Sequence, residues 1–416
     1  MAMNLSDKFA KNAIFMFFAA SFASLSNLIY QLVLVRNLTG VEYGILSSLI
    51  SLLLIIAMPI AAFRTMVIKF ISAFNIRDKF NKISSLFFTF AKHNLIIGLF
   101  IFLVVLIFRK NIAYFLNIET DTYMIYLAII LLLNAIYPVL SGFLQGLEKF
   151  YWEGTINIIS GLIKIIFTFI FVKAGLSIIG GLVGFIISLT LGIMLYFFPI
   201  RRAIVSMKDK LSVGAQEIKE MYSYFLPTML FLLTMTALTN IDMVLVKHYF
   251  SPQDSGCYAI AQIIGKILFF ISGPIAMVLF PRAANLLAEE KKHHHILKKA
   301  LFFSVLLCLV CILGYNLFPY TALRILTGKP YPVSVFLGRL FSVSMGFFGI
   351  VNVISFYLLS INNFKFIKFL VLFTILQTLA ILLFHSTLAT VLLVLCISSI
   401  LLVSILTRIS LAKVEE

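Results

Sequence analysis

The sequence predicts an all-α polytopic membrane protein of about twelve spanning helices, on three observations. First, 62% of its 416 residues are hydrophobic and only 12% charged, with a mean hydropathy of +1.09; soluble domains carry about 25% charged residues. A single core of this length could not hide so much apolar surface from water, but a bilayer can. Second, the apolar residues are gathered into runs, and a span needs only about 20 of them. Third, the 33 Lys and Arg lie mostly between the runs and not in a basic arm or block. That distribution excludes nucleic acid as the partner of this +17 chain.

In order, the spans fall near residues 12–35, 43–70, 85–108, 123–145, 156–173, 178–200, 221–246, 256–280, 298–320, 333–358, 364–384 and 386–407. The first follows polar Asp7 and Lys8 and runs on past the length of a signal-peptide core without a small-residue cleavage site, so it reads as a retained helix. It ends at Arg36, and the second restarts at Gly44 and contains Pro59. Lys82 precedes the third, and Arg109 and Lys110 follow it. The fourth holds Pro138 and closes before Lys149. Lys173 separates the fifth from the sixth, which ends at Arg201 and Arg202. The seventh ends at Lys247, the eighth restarts at Gly256 with Pro274 inside it, and Lys298 and Lys299 open the ninth. Lys329 precedes the tenth, Lys365 and Lys368 mark the inner end of the eleventh, and Arg408 closes the twelfth.

With twelve spans both termini share a side. Only Arg36, Arg109, Lys110, Lys173, Lys247, Arg324 and Lys329 among the loop cations fall on the other side, so the positive-inside rule makes both termini cytoplasmic. Much of the +17 is therefore topology. The longest connection, 201–220, alternates Leu211, Val213 and Ile218 with Lys208, Lys210 and Lys219 and reads as an interfacial cytoplasmic linker. It divides an N-terminal lobe of six spans, 1–200, from a C-terminal lobe of six, 221–416.

The halves echo each other. Val33-Leu34-Val35-Arg36 then Glu42-Tyr43-Gly44 recurs as Val244-Leu245-Val246-Lys247 then Asp254-Ser255-Gly256. In each, an apolar helix ends in a cation, crosses a turn holding an acid and restarts at glycine. An even number of spans per half gives both the same orientation, which predicts a pseudo-two-fold along the membrane normal and a central cavity.

Placing the 16 acidic residues leaves only Asp242 within a span. Against it stand Arg64, Lys69, Lys92, Lys164, Lys266 and Arg339. Lys69 and Lys92 lie near cytoplasmic ends, where long side chains snorkel. Arg64 sits further in, Lys164 and Lys266 fall near mid-span, and Arg339 lies about 9 Å from the outer edge. Cations at such depth face a bundle interior or an aqueous cavity. Asp242 serves either ion coupling or as structural partner of one of them, and the remaining counter-charge is expected from the cargo. A phosphate or pyrophosphate fits, with Arg as a fork and Lys as a point charge. No cofactor or metal is predicted. Cys308 and Cys311 lie within a span, and the adjacent His293, His294 and His295 point different ways on a helix.

Several segments resemble the polysaccharide (O-antigen) flippases of the multidrug/oligosaccharidyl-lipid/polysaccharide exporter (MOP) superfamily. Leu34 through Gly44 resembles that family's exit from helix one, with Leu38-Thr39-Gly40 where Leu-Gly is usual. Met66 through Ile71 is similar to its end of helix two, with Lys69 where Arg is common. Gly142 through Phe150 resembles its close of helix four, and Ile241 through Val246 followed by Gly256 through Ala261 resembles its helix seven and eight signature. The resemblance implies a multi-pass protein of the cell inner membrane that moves an undecaprenyl-diphosphate-linked oligosaccharide from inner to outer leaflet by alternating access. Cations in the lumen would engage the diphosphate, and Arg36, Gly44, Lys247 and Gly256 would mark turns or gates. Membrane lipid, and a polysaccharide polymerase or glycosyltransferases of the same pathway, are the implied partners, with a proton or sodium gradient as drive.

Two other readings compete: a cation-coupled multidrug exporter of the same superfamily, and a membrane-embedded glycosyltransferase or polymerase. The exporter would use Asp242. The enzyme would need carboxylates or a long hydrophilic loop for its sugar chemistry. Here Glu119, Asp121, Glu148 and Glu153 are scattered over two membrane faces, so no enzyme is expected.

Overall fold

Runs of straight-chain and aromatic apolar residues with few internal breakers must satisfy their backbone internally once in lipid, and helices do so. A computed structural model describes residues 5–76, 80–205, 215–288 and 294–411, and none of these forms a strand. In chain order the helices are α1 (Leu5–Asn37), α2 (Gly40–Ile76), α3 (Phe80–Ile107), α4 (Arg109–Phe115), α5 (Thr122–Gly146), α6 (Phe150–Phe171), α7 (Ser177–Val205) and α8 (Ala215–Leu238). They continue as α9 (Ile241–Tyr249), α10 (Pro252–Ile271), α11 (Gly273–Ala288), α12 (His294–Leu317), α13 (Pro319–Thr327), α14 (Pro332–Ser360), α15 (Ile367–Leu383) and α16 (Leu388–Leu411).

Ten stretches among the described residues are long and apolar enough to cross a membrane. One of them, Phe150–Arg201, covers both the fifth and sixth expected spans. Between these the chain passes through a π-helical turn at Val172–Leu176, where Gly175 (φ +91°) and Ser177 (φ +42°) adopt left-handed backbone. Three expected spans are interrupted. The seventh breaks at Thr239 and Asn240 between α8 and α9, the eighth at Ser272 just before Pro274, and the ninth stops at Leu317 before Pro319. In the latter two a proline restarts the helix in its first turn, where its missing N–H costs nothing. By contrast, Pro59 and Pro138 lie inside the continuous α2 and α5. Most of the expected 201–220 linker lies outside the described residues.

The helices form two compact units. One contains the chain up to Asn37 together with Leu53–Leu232; the other contains Leu38–Leu52 and the chain from Leu233 onward. Helix α2 thus contributes to both, dividing at Leu52, and α8 does likewise at Leu232.

In the first unit α1 packs on α6, α6 on α7, α7 on α5 and α5 on α3. The second unit repeats these pairings with α9 on α15, α15 on α16, α16 on α14 and α14 on α12. A short helix follows the third member in each case, α4 after α3 and α13 after α12. The repeat expected from a few residues of punctuation is therefore present in the packing of each half. The first unit's core centres on Phe63, Met66, Phe143 and Tyr196, and Tyr222, Tyr224 and Phe225 of α8 pack against it. Tyr222 shares a 2.8 Å hydrogen bond with His93 Nδ1 of α3. The second unit is organised around α14, which contacts α10, α11, α12 and α16.

Candidate functional site

Helix α6 is amphipathic in the sense opposite to that of a helix on a soluble protein. Glu153, Ser160, Lys164 and Thr168 are buried on one face, while Ile159, Leu162, Ile166, Phe169 and Ile170 are exposed. The polar spacings of seven, four and four keep those side chains on one stripe, and lipid rewards the apolar face that water would reject. The stripe lies against α1 and α7.

Near its N-terminal end the carboxylate of Glu153 is fully buried. Its Oε1 accepts from Ser141 Oγ at 2.6 Å, Asn157 Nδ2 at 2.9 Å and Arg64 Nη2 at 3.1 Å, and its Oε2 accepts from Tyr196 OH at 2.7 Å. Tyr137 OH donates to Asn157 Oδ1 at 2.9 Å and meets Tyr196 edge to face. Helices α2, α5, α6 and α7 are thereby tied to one acid. Two sequence expectations are corrected here. Asp242 is not the only acid within a span, because α6 begins at Phe150 and draws Glu153 inside. Nor is Arg64 an unmatched cation. It forms an ion pair with Glu153 at 3.1 Å and also donates to Gln145 Oε1 at 3.1 Å. The signal that could have placed Glu153 was its i, i+4 spacing to Asn157 and on to the rest of the stripe. Its position only four residues after Lys149 made it read as loop.

Arg64 is not consumed by this pairing. Its side chain remains 41% exposed, and its buried Nε has no hydrogen-bond partner. Lys164, near the middle of the stripe, is buried; its Nζ donates to Asn27 Oδ1 of α1 and lies 5.1 and 5.2 Å from the ring centres of Tyr30 and Phe185. Tyr30 OH in turn donates to Gly181 O at 3.1 Å. Aromatic faces stabilise the ammonium without neutralising it. The neighbouring hydroxyls of Ser26 and Thr168 are buried and have no hydrogen-bond partner among the described residues. Nearer the inner end, Lys69 places Nζ 3.5 Å from the centre of the Tyr224 ring, while Lys92 is exposed.

In the second unit the break at Thr239 and Asn240 puts Asp242 in the first turn of α9, where the unpaired amides favour a negative charge. Asp242 is fully buried and accepts from Tyr258 OH at 2.8 Å through Oδ2, whereas Oδ1 has no hydrogen-bond partner of good geometry. Lys266 of α10, half-buried, is close enough to interact with it electrostatically. Arg339 of α14 is exposed, with Tyr315 among the groups it influences. Lys247 is buried at the end of α9, and Arg36 is exposed in the last turn of α1.

The two glycines singled out by the repeat meet in this unit. A Cβ on Gly44 would stand 2.9 Å from both Cα and N of Gly256, and one on Gly256 would stand 2.4 Å from the carbonyl oxygen of Gly40. Gly40, Gly44 and Gly256 thus let α2 and α10 cross backbone to backbone, as small residues do between membrane helices. Beside the crossing, Lys329 Nζ donates to Leu38 O at 3.4 Å. The expected pairing was one of sequence position only; the physical contact between the two glycines was not foreseen.

The profile of the family described as polysaccharide biosynthesis protein matches residues 33–336. The chain belongs to that family. Among solved structures, an inward-facing multidrug resistance MATE transporter of the MOP superfamily superposes with a TM-score of 0.80 at 13% identity, covering 94% of each chain. The lipid II flippase MurJ, in an inward closed conformation, gives 0.69 at 18% identity over 97% of this chain and 88% of its own. A eukaryotic MATE transporter gives 0.67 at 14% identity over 97% and 96%. At such identities the shared property is the fold. No curated protein sequence matches the chain. This member of the polysaccharide biosynthesis family is therefore a multi-pass membrane protein with the MOP transporter fold.

Proposed function

We propose that the protein is a flippase that carries a lipid-linked oligosaccharide on an anionic diphosphate from the inner to the outer leaflet of the cytoplasmic membrane by alternating access. One observation carries the reading: the Arg339 side chain is exposed within a span and that of Arg64 remains 41% exposed, each with donors that nothing among the described residues accepts. A charged group in that position faces water in preference to hydrocarbon, and a cavity onto which such a donor opens binds an anion of phosphate geometry. Lys266, half-buried, is a further cation of the second unit. Lys164, capped by Asn27 and two rings, contributes charge rather than direct contact in this conformation.

In this reading residues 1–200 and 221–416 are the two halves of the transport cycle, both termini are cytoplasmic, and the α2–α10 crossing at Gly44 and Gly256, with Arg36 and Lys247 at the neighbouring helix ends, is the outer gate. The polymerase and glycosyltransferases that make and consume such a cargo are its functional partners. The test is cellular. Arg339→Gln and Lys266→Gln are each expected to abolish surface polysaccharide while membrane levels of the protein stay normal; wild-type export by both variants removes the basis of the reading.

A second reading, a cation-coupled exporter, is favoured by one feature, the unsatisfied Oδ1 of Asp242. It requires that cells expressing the protein resist cationic dyes and that Asp242→Asn end the resistance.

A further inference from the structure

We infer that Glu153 is a positioning residue for Arg64: it fixes the direction of the guanidinium and offsets part of its charge, so that an anionic diphosphate headgroup binds there and is then released. The inference rests on the anionic-cargo reading above and adds to it the residue that makes the binding reversible.

The geometry separates the nitrogens of Arg64. Nη2 is committed, because it bonds both Glu153 Oε1 and Gln145 Oε1 at 3.1 Å. The side chain as a whole is 41% exposed, Nε is buried, and Nη1 has no acceptor among the described residues. A guanidinium held at Nη2 loses little further freedom when Nη1 meets a phosphate oxygen, so that donor is pre-organised. The holder is itself immobile. Glu153 accepts from Ser141, Asn157 and Tyr196 as well as from Arg64, and none of its exposure remains. Four donors from α2, α5, α6 and α7 surround it, so moving the acid requires moving the helices.

The charge matters as much as the direction. A lone arginine facing a polyanion in a low-dielectric cavity would bind it firmly, and a transport site must be weak enough to let its cargo leave. A buried carboxylate 3.1 Å away lowers the field that the cargo meets. Lys164 on the same helix has no such acid, and there the structure encloses the cation between Tyr30 and Phe185. The first unit thus treats its two deep cations in opposite ways, burying the unneutralised one and exposing the neutralised one.

The test uses purified full-length protein in vesicles and a fluorescent polyprenyl-diphosphate N-acetylglucosamine as probe, with binding and flipping measured separately. Glu153→Gln keeps one acceptor oxygen, at the place of Oε1 for Ser141 or of Oε2 for Tyr196, and removes the charge. It is expected to tighten probe binding about threefold to tenfold and to lower the flipping rate by a similar factor, a split between KM and kcat that loss of folding does not produce. Adding Arg64→Gln to Glu153→Gln is expected to remove the tightening, because it acts through the guanidinium. Should Glu153→Gln fail to accumulate, Glu153→Asp, which retains the charge but shortens the reach to Arg64, replaces it. That variant is expected to weaken binding without the gain in affinity. Unchanged binding and flipping in Glu153→Gln, or a parallel fall in both, overturns the inference while leaving the cargo reading intact. Absence of probe binding by the wild-type protein overturns the cargo reading itself, and the inference with it.

Discussion

The two units each bury one carboxylate completely and treat it differently. Glu153 in the first accepts four hydrogen bonds, one of them from an arginine, and joins four helices. Asp242 in the second accepts from one side chain among the described residues, Tyr258, beside the half-buried Lys266. An acid with both oxygens engaged is a structural keystone, since removing it strands several donors at once. On the reading proposed above, the acid with a single side-chain donor is the one placed to change charge state or partner during a transport cycle. The comparison separates an acid held by four side chains in the first unit from one held by a single side chain in the second.

Four substitutions break or sharpen this contrast. The largest effect is expected for Glu153→Ala, which leaves Ser141, Asn157 and Tyr196 without their acceptor. The loss is about 3 kcal/mol, below the full range for a buried ion pair because Arg64 is partly exposed. It should appear as a marked fall in Tm of the detergent-solubilised protein, and an equal fall for Asp242→Ala would erase the distinction. Next comes Tyr258→Phe, which removes the only side-chain donor to Asp242 and is expected to cost about 1.5–3 kcal/mol, against about 1 kcal/mol for Tyr196→Phe, where three donors remain. Equal costs would mean that the two acids are alike. Gly256→Val should cost about 1–3 kcal/mol by overpacking the backbone crossing with α2, and Gly44→Val similarly, measured in the same thermal scans. The smallest change in stability belongs to Arg339→Gln, within about 0.5 kcal/mol because the side chain is exposed, although transport should fall sharply. A stability loss there comparable to that of Glu153→Ala would make Arg339 structural.

Much of the fold was legible because lipid simplifies the code. Span lengths and charge punctuation located the long apolar stretches, though not the short α4 and α13, and the Val-Leu-Val-cation repeat pointed to two halves of like orientation. Helix breaks were less legible. Thr239 and Asn240 interrupt an apolar run with no proline or glycine, and the interruption is stabilised by tertiary bonds, including one from Gln377 Nε2 to Leu238 O at 2.9 Å. Depth along a helix identified Lys164, Lys266, Arg339 and Arg64 as unusual, but depth says nothing of azimuth. Only the packed structure separates enclosed Lys164 from exposed Arg339. Glu153 was misplaced for a related reason: hydropathy counts a carboxylate against a span, whereas Ser141, Asn157, Tyr196 and Arg64 converge on it from positions 12, 4, 43 and 89 residues away.

The central claim, that exposed cations of a MOP-fold protein serve an anionic lipid-linked sugar, is tested most directly by reconstitution. Purified protein in vesicles should flip a fluorescent polyprenyl-diphosphate sugar faster than empty vesicles, and a double Arg64→Gln, Arg339→Gln variant, correctly folded by its Tm, should lose that activity. Flipping indistinguishable from empty vesicles, or undiminished in the double variant, would contradict the account.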